Sequence, residues 1–87
     1  MLERDVKTYF YKRCKTKGLE VRKTMYQYRS HCPDAYVFGI GWVELKANKG
    51  RLRKMQEVEI ATMRSHGEKV WVISSKEDVD QFIEEVT

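Results

Sequence analysis

Two short apolar segments joined by Gly39-Ile40-Gly41 limit this chain to few architectures, because a glycine-bearing link of that length turns one strand straight back onto the next. The second segment, Trp42-Val43-Glu44-Leu45-Lys46, alternates as a half-buried strand does. Val43 and Leu45 face one way; Trp42, Glu44 and Lys46 face the other. Glu44 and Lys46 are then neighbours on one face, about 6.6 Å apart at roughly 3.3 Å per residue. The first segment, Ala35-Tyr36-Val37-Phe38, is headed by Pro33-Asp34. Folding the two together lets Asp34 and Glu44 converge.

The rest of the chain supplies cover for that hairpin. Leu2, Val6, Tyr9, Phe10 and Cys14 fall at the spacing of an amphipathic helix running to about Lys17, with Gly18 as its stop. On the helical wheel Glu3 lands between Phe10 and Cys14, inside the apolar stripe, where a carboxylate needs a reason; fraying of a first turn that also favours an acid is the plain one. Leu19 to Tyr28, rich in β-branched and aromatic residues, reads as a strand, and Gln27 to Cys32 as a loop ending before a proline. After the turn Ala47-Asn48-Lys49-Gly50, a helix is predicted from Arg51 to His66. Leu52, Met55, Ile60 and Met63 form its apolar side, with Gln56 in their midst as a polar group that needs a partner. Gly67 ends that helix, Lys69 to Ser74 reads as a buried strand, and Ser75 caps a last helix whose apolar side is Val79, Phe82, Ile83 and Val86.

The element order is therefore αβββαβα: an α/β sandwich around a mixed four-stranded sheet. Its hairpin-linked pairs are antiparallel, and the helical crossover favours a parallel third pair. At 87 residues, residues 1–87 make one domain, small enough to lean on a second copy of itself.

Charge narrows the partners. Seventeen Lys and Arg against thirteen Asp and Glu give +4, which suits a polyanion. Lys15, Lys17, Arg22, Lys23 and Arg29 form one candidate phosphate-contacting surface. Lys49, Arg51, Arg53 and Lys54 crowd the start of the second long helix, where cations oppose the macrodipole and so are not there for helix stability. No apolar run approaches the roughly 20 residues a membrane span needs, so a cytosolic protein is expected. Cys14 and Cys32 lack CxxC spacing and read as reduced thiols. Cys32 adjoins His31, but a Cys/His nucleophile lacks a third member here.

Asp34, Glu44 and the backbone carbonyl of Leu45 offer hard oxygen ligands suited to Mg²⁺ or Mn²⁺. An ion held by them can polarise a phosphoryl oxygen and activate water, with Lys46 orienting that water or stabilising developing charge. Such a constellation is suited to phosphodiester hydrolysis.

Pro33-Asp34, then Glu44-Leu45-Lys46, then a helix bearing Gln56 resemble the PD-(D/E)xK nuclease superfamily. Within it, Glu3, the ELK triplet, Gln56 after a short basic turn and the closing strand and helix resemble the virus-type replication-repair nuclease (VRR-NUC) domain over nearly the whole chain. The resemblance implies a restriction-endonuclease-like fold, with Asp34 and Glu44 binding the divalent ion, Lys46 assisting the attacking water, Gln56 bracing the site and Glu3 approaching from the first helix. It also implies a DNA substrate. Stand-alone domains of this size resemble dimeric Holliday-junction-resolving nucleases of phages and mobile elements, which would place this chain in a host's cytosol. One departure is His31-Cys32-Pro33-Asp34, where the family usually carries a glycine before the PD pair.

Two other function classes compete. A non-catalytic nucleic-acid-binding module would need none of Asp34, Glu44, Lys46 and Gln56 together. A phosphatase or nucleotide hydrolase would call for a phosphate-cradling glycine loop, which this chain lacks.

Overall fold

A computed structural model describes residues 2–24, 31–46 and 52–87. Its elements follow the expected order: α1 (Glu3–Thr16), β1 (Val21–Lys23), β2 (Ala35–Val37), β3 (Gly41–Leu45), α2 (Lys54–Ser65), β4 (Val70–Ile73) and α3 (Lys76–Val86). The strands lie side by side as β1-β2-β3-β4, the first two pairs antiparallel and β3 with β4 parallel.

Each helix ends where its sequence says it should. The Gly18 and Gly67 backbones, at φ 73° and 87°, let Leu19 and Glu68 donate back to the carbonyls of Cys14 and Met63. These bonds satisfy groups that the last turns of α1 and α2 leave open. At the start of α3, Ser75 accepts from the Asp78 amide at 3.1 Å while the Asp78 carboxylate accepts from the Ser74 amide at 3.0 Å.

Alternation along the strands gives the sheet two different faces. Ala35, Val37, Val43, Leu45 and Ile73 point toward α1 and α3 and are buried with Val6, Phe10, Cys14, Val79, Phe82 and Ile83. Phe10 and Phe82 meet ring to ring at 5.8 Å between centroids, tying the first helix to the last. The opposite face carries Tyr36, Trp42, Glu44, Val70 and Val72 by the same register. Among the described elements α2 is what covers it, through Ile60, and Val72 stays 37% exposed.

That partial cover corrects the reading of α2 as a helix with a full apolar side. Ile60 is its one buried residue, Leu52 and Met63 are half-buried, and Met55 is 55% exposed. A helix that touches the sheet mainly through β4 buries a narrow strip rather than a whole face. The helix also begins at Lys54, later than Arg51. Ala47 to Arg51, and Met25 to Arg29 within the expected first strand and loop, lie outside the described residues; the described part of that strand is only Val21–Lys23.

Tyr9 and Tyr11 are partly buried against the core, Tyr9 donating its hydroxyl to Asp80 at 2.6 Å, so neither is free to form a dimer face. Tyr26 and Tyr28 lie outside the described residues.

Gly41 has a packing reason of its own. A Cβ there would sit 2.6 Å from the Lys69 carbonyl oxygen, and its φ of 151° disfavours any side chain. Gly41→Ala is therefore expected to cost about 2 kcal/mol, by forcing β3 off β4. Urea unfolding would measure it, and an unchanged midpoint would contradict the close approach.

Candidate metal and phosphodiester site

The register of the central hairpin, Ala35 opposite Val43, brings Asp34 level with Glu44 at its open end. Glu44 is only 3% exposed, an unusual place for a carboxylate. Its surroundings account for every charge it faces. Gln56 donates its side-chain amide to the Glu44 carboxylate at 3.0 Å, and the Lys46 ammonium lies 3.4 Å from the same oxygen. The Asp34 carboxyl shares a hydrogen bond with it. Burial, then the Asp34 charge, outweigh the help from Lys46 and push the Glu44 carboxyl up to about 7.

Asp34 is held from two sides. One oxygen accepts from the Leu45 amide at 2.8 Å, so β3 itself orients the carboxylate; the other lies 3.9 Å from the Lys7 ammonium on α1. Lys46 continues the ladder by donating its amide to the Ile73 carbonyl at 2.8 Å, which fixes the backbone beneath its side chain. Gln56 is locked at its other end, accepting from the Arg53 amide at 3.0 Å at the start of α2. The partner anticipated for this polar group on an apolar side is thus Glu44.

The donor set is two touching carboxylates beside a strand carbonyl. Among the described residues no cluster of three or more His, Cys, Asp or Glu stands close enough to hold an ion. Two carboxylates, one of them left partly protonated near pH 7 by its burial and then by the charge of the other, suit a hard divalent cation that takes its remaining ligands from water and substrate.

Not every expected residue joins them. Glu3 is exposed at the tip of α1, one turn beyond the buried stripe of Val6, Phe10 and Cys14, and it reaches the site only through Lys7, whose ammonium lies 3.7 Å from its carboxylate. The wheel places Glu3 on the right side, but in the first turn of α1 its carboxylate is exposed and turned to Lys7. Lys23, Arg53 and Lys54 are exposed, as are Lys15 and Lys17; Arg22 is engaged, 2.9 Å from Glu20 and stacked over Phe38. Lys49, Arg51 and Arg29 lie outside the described residues.

Cys14 is buried, which pushes its thiol up to about 11, and Cys32 is half-buried.

Lys7, Tyr11 and Thr24, next to Asp34, were missed in reading the sequence. A signal existed: Glu3, Lys7 and Tyr11 recur every four residues, so one side of α1 carries all three toward the same strand end.

No family model matches the sequence, and no curated protein does. A solved structure described as a VRR_NUC domain does match: 32% of residues are identical, the alignment covers 98% of this chain and 97% of that one, and the TM-score is 0.86. With the αβββαβα order, the mixed sheet and a relative of that identity over almost its full length, this chain belongs to the VRR-NUC domain family and has its nuclease-type fold.

Proposed function

We propose that this domain is a divalent-metal-dependent DNA endonuclease of the PD-(D/E)xK type, which cuts branched duplex such as four-way junctions as a homodimer. The observation that carries the reading is the buried Glu44 carboxyl, hydrogen-bonded to the half-buried Asp34, with Lys46 against it. A charge cluster kept out of water costs folding energy, and a binding module has no use for it.

Asp34, Glu44 and the Leu45 carbonyl would hold Mg²⁺ or Mn²⁺, which when bound supplies Lewis acidity at the phosphoryl oxygen and a more acidic water. The protein's own groups do the remaining work. Gln56 fixes the Glu44 carboxylate against rotation. Lys46, only 16% exposed at its side chain, keeps a positive charge where negative charge builds up during attack. Glu3 acts at one remove, by holding Lys7 beside Asp34.

Lys46→Ala is expected to lower kcat by about a hundredfold while changing DNA affinity less than threefold, because its charge matters most in the transition state. Equal losses in both would contradict that role. DNA binding should also weaken as salt rises, by a slope of about −0.9 for each phosphate contacted by Lys23, Lys49, Arg51, Arg53 or Lys54. A flat dependence in a salt titration would remove those residues from the interface.

The homodimer follows from size and family resemblance, and α2 offers it a face: Met55 and Val58 stand 55% and 50% exposed on its outer side. A phage or other mobile element working in a host cytosol is the setting we infer from the same resemblance. The decisive experiment incubates purified protein with labelled linear, flap and four-way DNAs, with and without Mn²⁺. Metal-dependent cuts in the four-way DNA support the proposal; intact DNA in every lane, with binding retained, would leave a non-catalytic binding module.

A further inference from the structure

A second site adjoins the acidic pair on its α1 side. Lys7, Tyr11, Lys23, Thr24 and Asp34 line a cavity of about 160 Å³, which shares Asp34 with the acidic pair but is not lined by Glu44, Lys46 or Gln56. Three donors converge on it. The Lys7 ammonium is anchored between Glu3 and Asp34. Lys23 is placed by β1, whose pairing sets it opposite Ala35, the residue after Asp34. The Tyr11 hydroxyl keeps its proton at neutral pH and makes no hydrogen bond to another described residue, although it lies near enough to feel the Asp34 charge.

Thr24 holds the cavity's shape rather than its charge, since its amide donates to the Asp34 carbonyl at 3.0 Å and its hydroxyl to the Pro33 carbonyl. Two ammonium groups, a phenol proton and one carboxylate make the lining itself net positive; Glu3 holds Lys7 from outside it, and the Lys23 ammonium and the Tyr11 proton face the cavity unspent. That combination selects a tetrahedral oxyanion.

We propose that this cavity binds a backbone phosphate of the DNA strand being cut, the one neighbouring the scissile phosphate, through Lys7, Tyr11 and Lys23. The inference rests on the nuclease reading above, and extends it by assigning Lys7 and Tyr11 to substrate binding. A phosphate seated there fixes the strand's position relative to Asp34, and so fixes which bond meets the acidic pair.

The test substitutes neutral methylphosphonates one at a time on both sides of the cut, and measures cleavage in Mn²⁺ and binding by anisotropy in Ca²⁺. For the wild type, one flanking position should lower both by about tenfold. For Lys7→Gln and Tyr11→Phe, which keep bulk and ring, that position should cost less than twofold, because the missing partner is already gone. Oligonucleotides ending at that position, with and without a terminal phosphate, separate a strand-end site from an internal one: preference for the free terminus would overturn the internal-phosphate assignment. Equal penalties in wild type and variants at every position would overturn the cavity itself. Should no DNA be cut at all, the binding arm still decides the cavity, while the loss of cleavage counts against the nuclease reading alone.

Discussion

Asp34→Ala or Glu44→Ala is expected to lower metal-dependent DNA cleavage by at least about a thousandfold, roughly 4 kcal/mol of transition-state stabilisation, while DNA affinity stays within about threefold. On the proposed reading each carboxylate is one of two acidic ligands, so losing either removes half the negative charge that would hold the cation. On the same reading binding should survive, because exposed cations away from the pair, such as Arg53 and Lys54, would contact the rest of the duplex. Alanine at 34 also leaves the Leu45 amide without its acceptor, and alanine at 44 leaves the Gln56 amide without one. Asp34→Asn and Glu44→Gln keep an acceptor in place and separate lost chemistry from lost packing. Cleavage by the two amide variants at near wild-type rates, in a gel assay with Mn²⁺, would remove the acidic pair from the reaction.

The second large effect concerns pH. The Glu44 carboxyl is raised from 4.5 to about 7 in the folded protein, so between those values the folded state holds a proton that the unfolded chain has released. Stability from this group is full below pH 4.5 and is lost as pH rises through 7, by about 3 kcal/mol at roughly 1.36 kcal/mol per unit. In a domain of this size that is roughly 15 °C in melting temperature. Glu44→Gln carries no such proton, so the difference in melting temperature between the variant and wild type, both metal-free, should widen in the variant's favour from pH 4.5 to pH 8. Divalent metal should narrow it again, since an ion between the carboxylates stabilises the charged form. Thermal scans at pH 4.5, 6 and 8, with EDTA or Mn²⁺, measure this. A constant difference across pH would mean that Glu44 is ionised throughout.

Much of this site was legible before any coordinates. Alternation put Val43 and Leu45 on one face and Glu44 on the other, and the glycine link set the register that makes Asp34 its neighbour. Gln56 stood out as a polar group on an apolar side, and its partner is the buried acid. Local pattern failed where the answer depended on how far a distant element reaches. The wheel could not say that Glu3 would stay exposed and pair with Lys7, or that α2 would leave Met55 in water. The cavity of Lys7, Tyr11 and Lys23 required α1 to lie against the end of β1, a contact that no window of sequence contains.

The pairing of Phe10 with Phe82 has a consequence for how the chain is made. The eleven residues of α3 follow every other element of the fold, yet they roof the inner face of the sheet together with α1. A nascent chain can form its hairpin as it leaves the ribosome, but its greasy underside stays open until α3 has emerged as well. Closure of the core therefore waits on Lys76–Val86, and a truncation anywhere in α3 should yield a product that proteases clear rather than a folded domain.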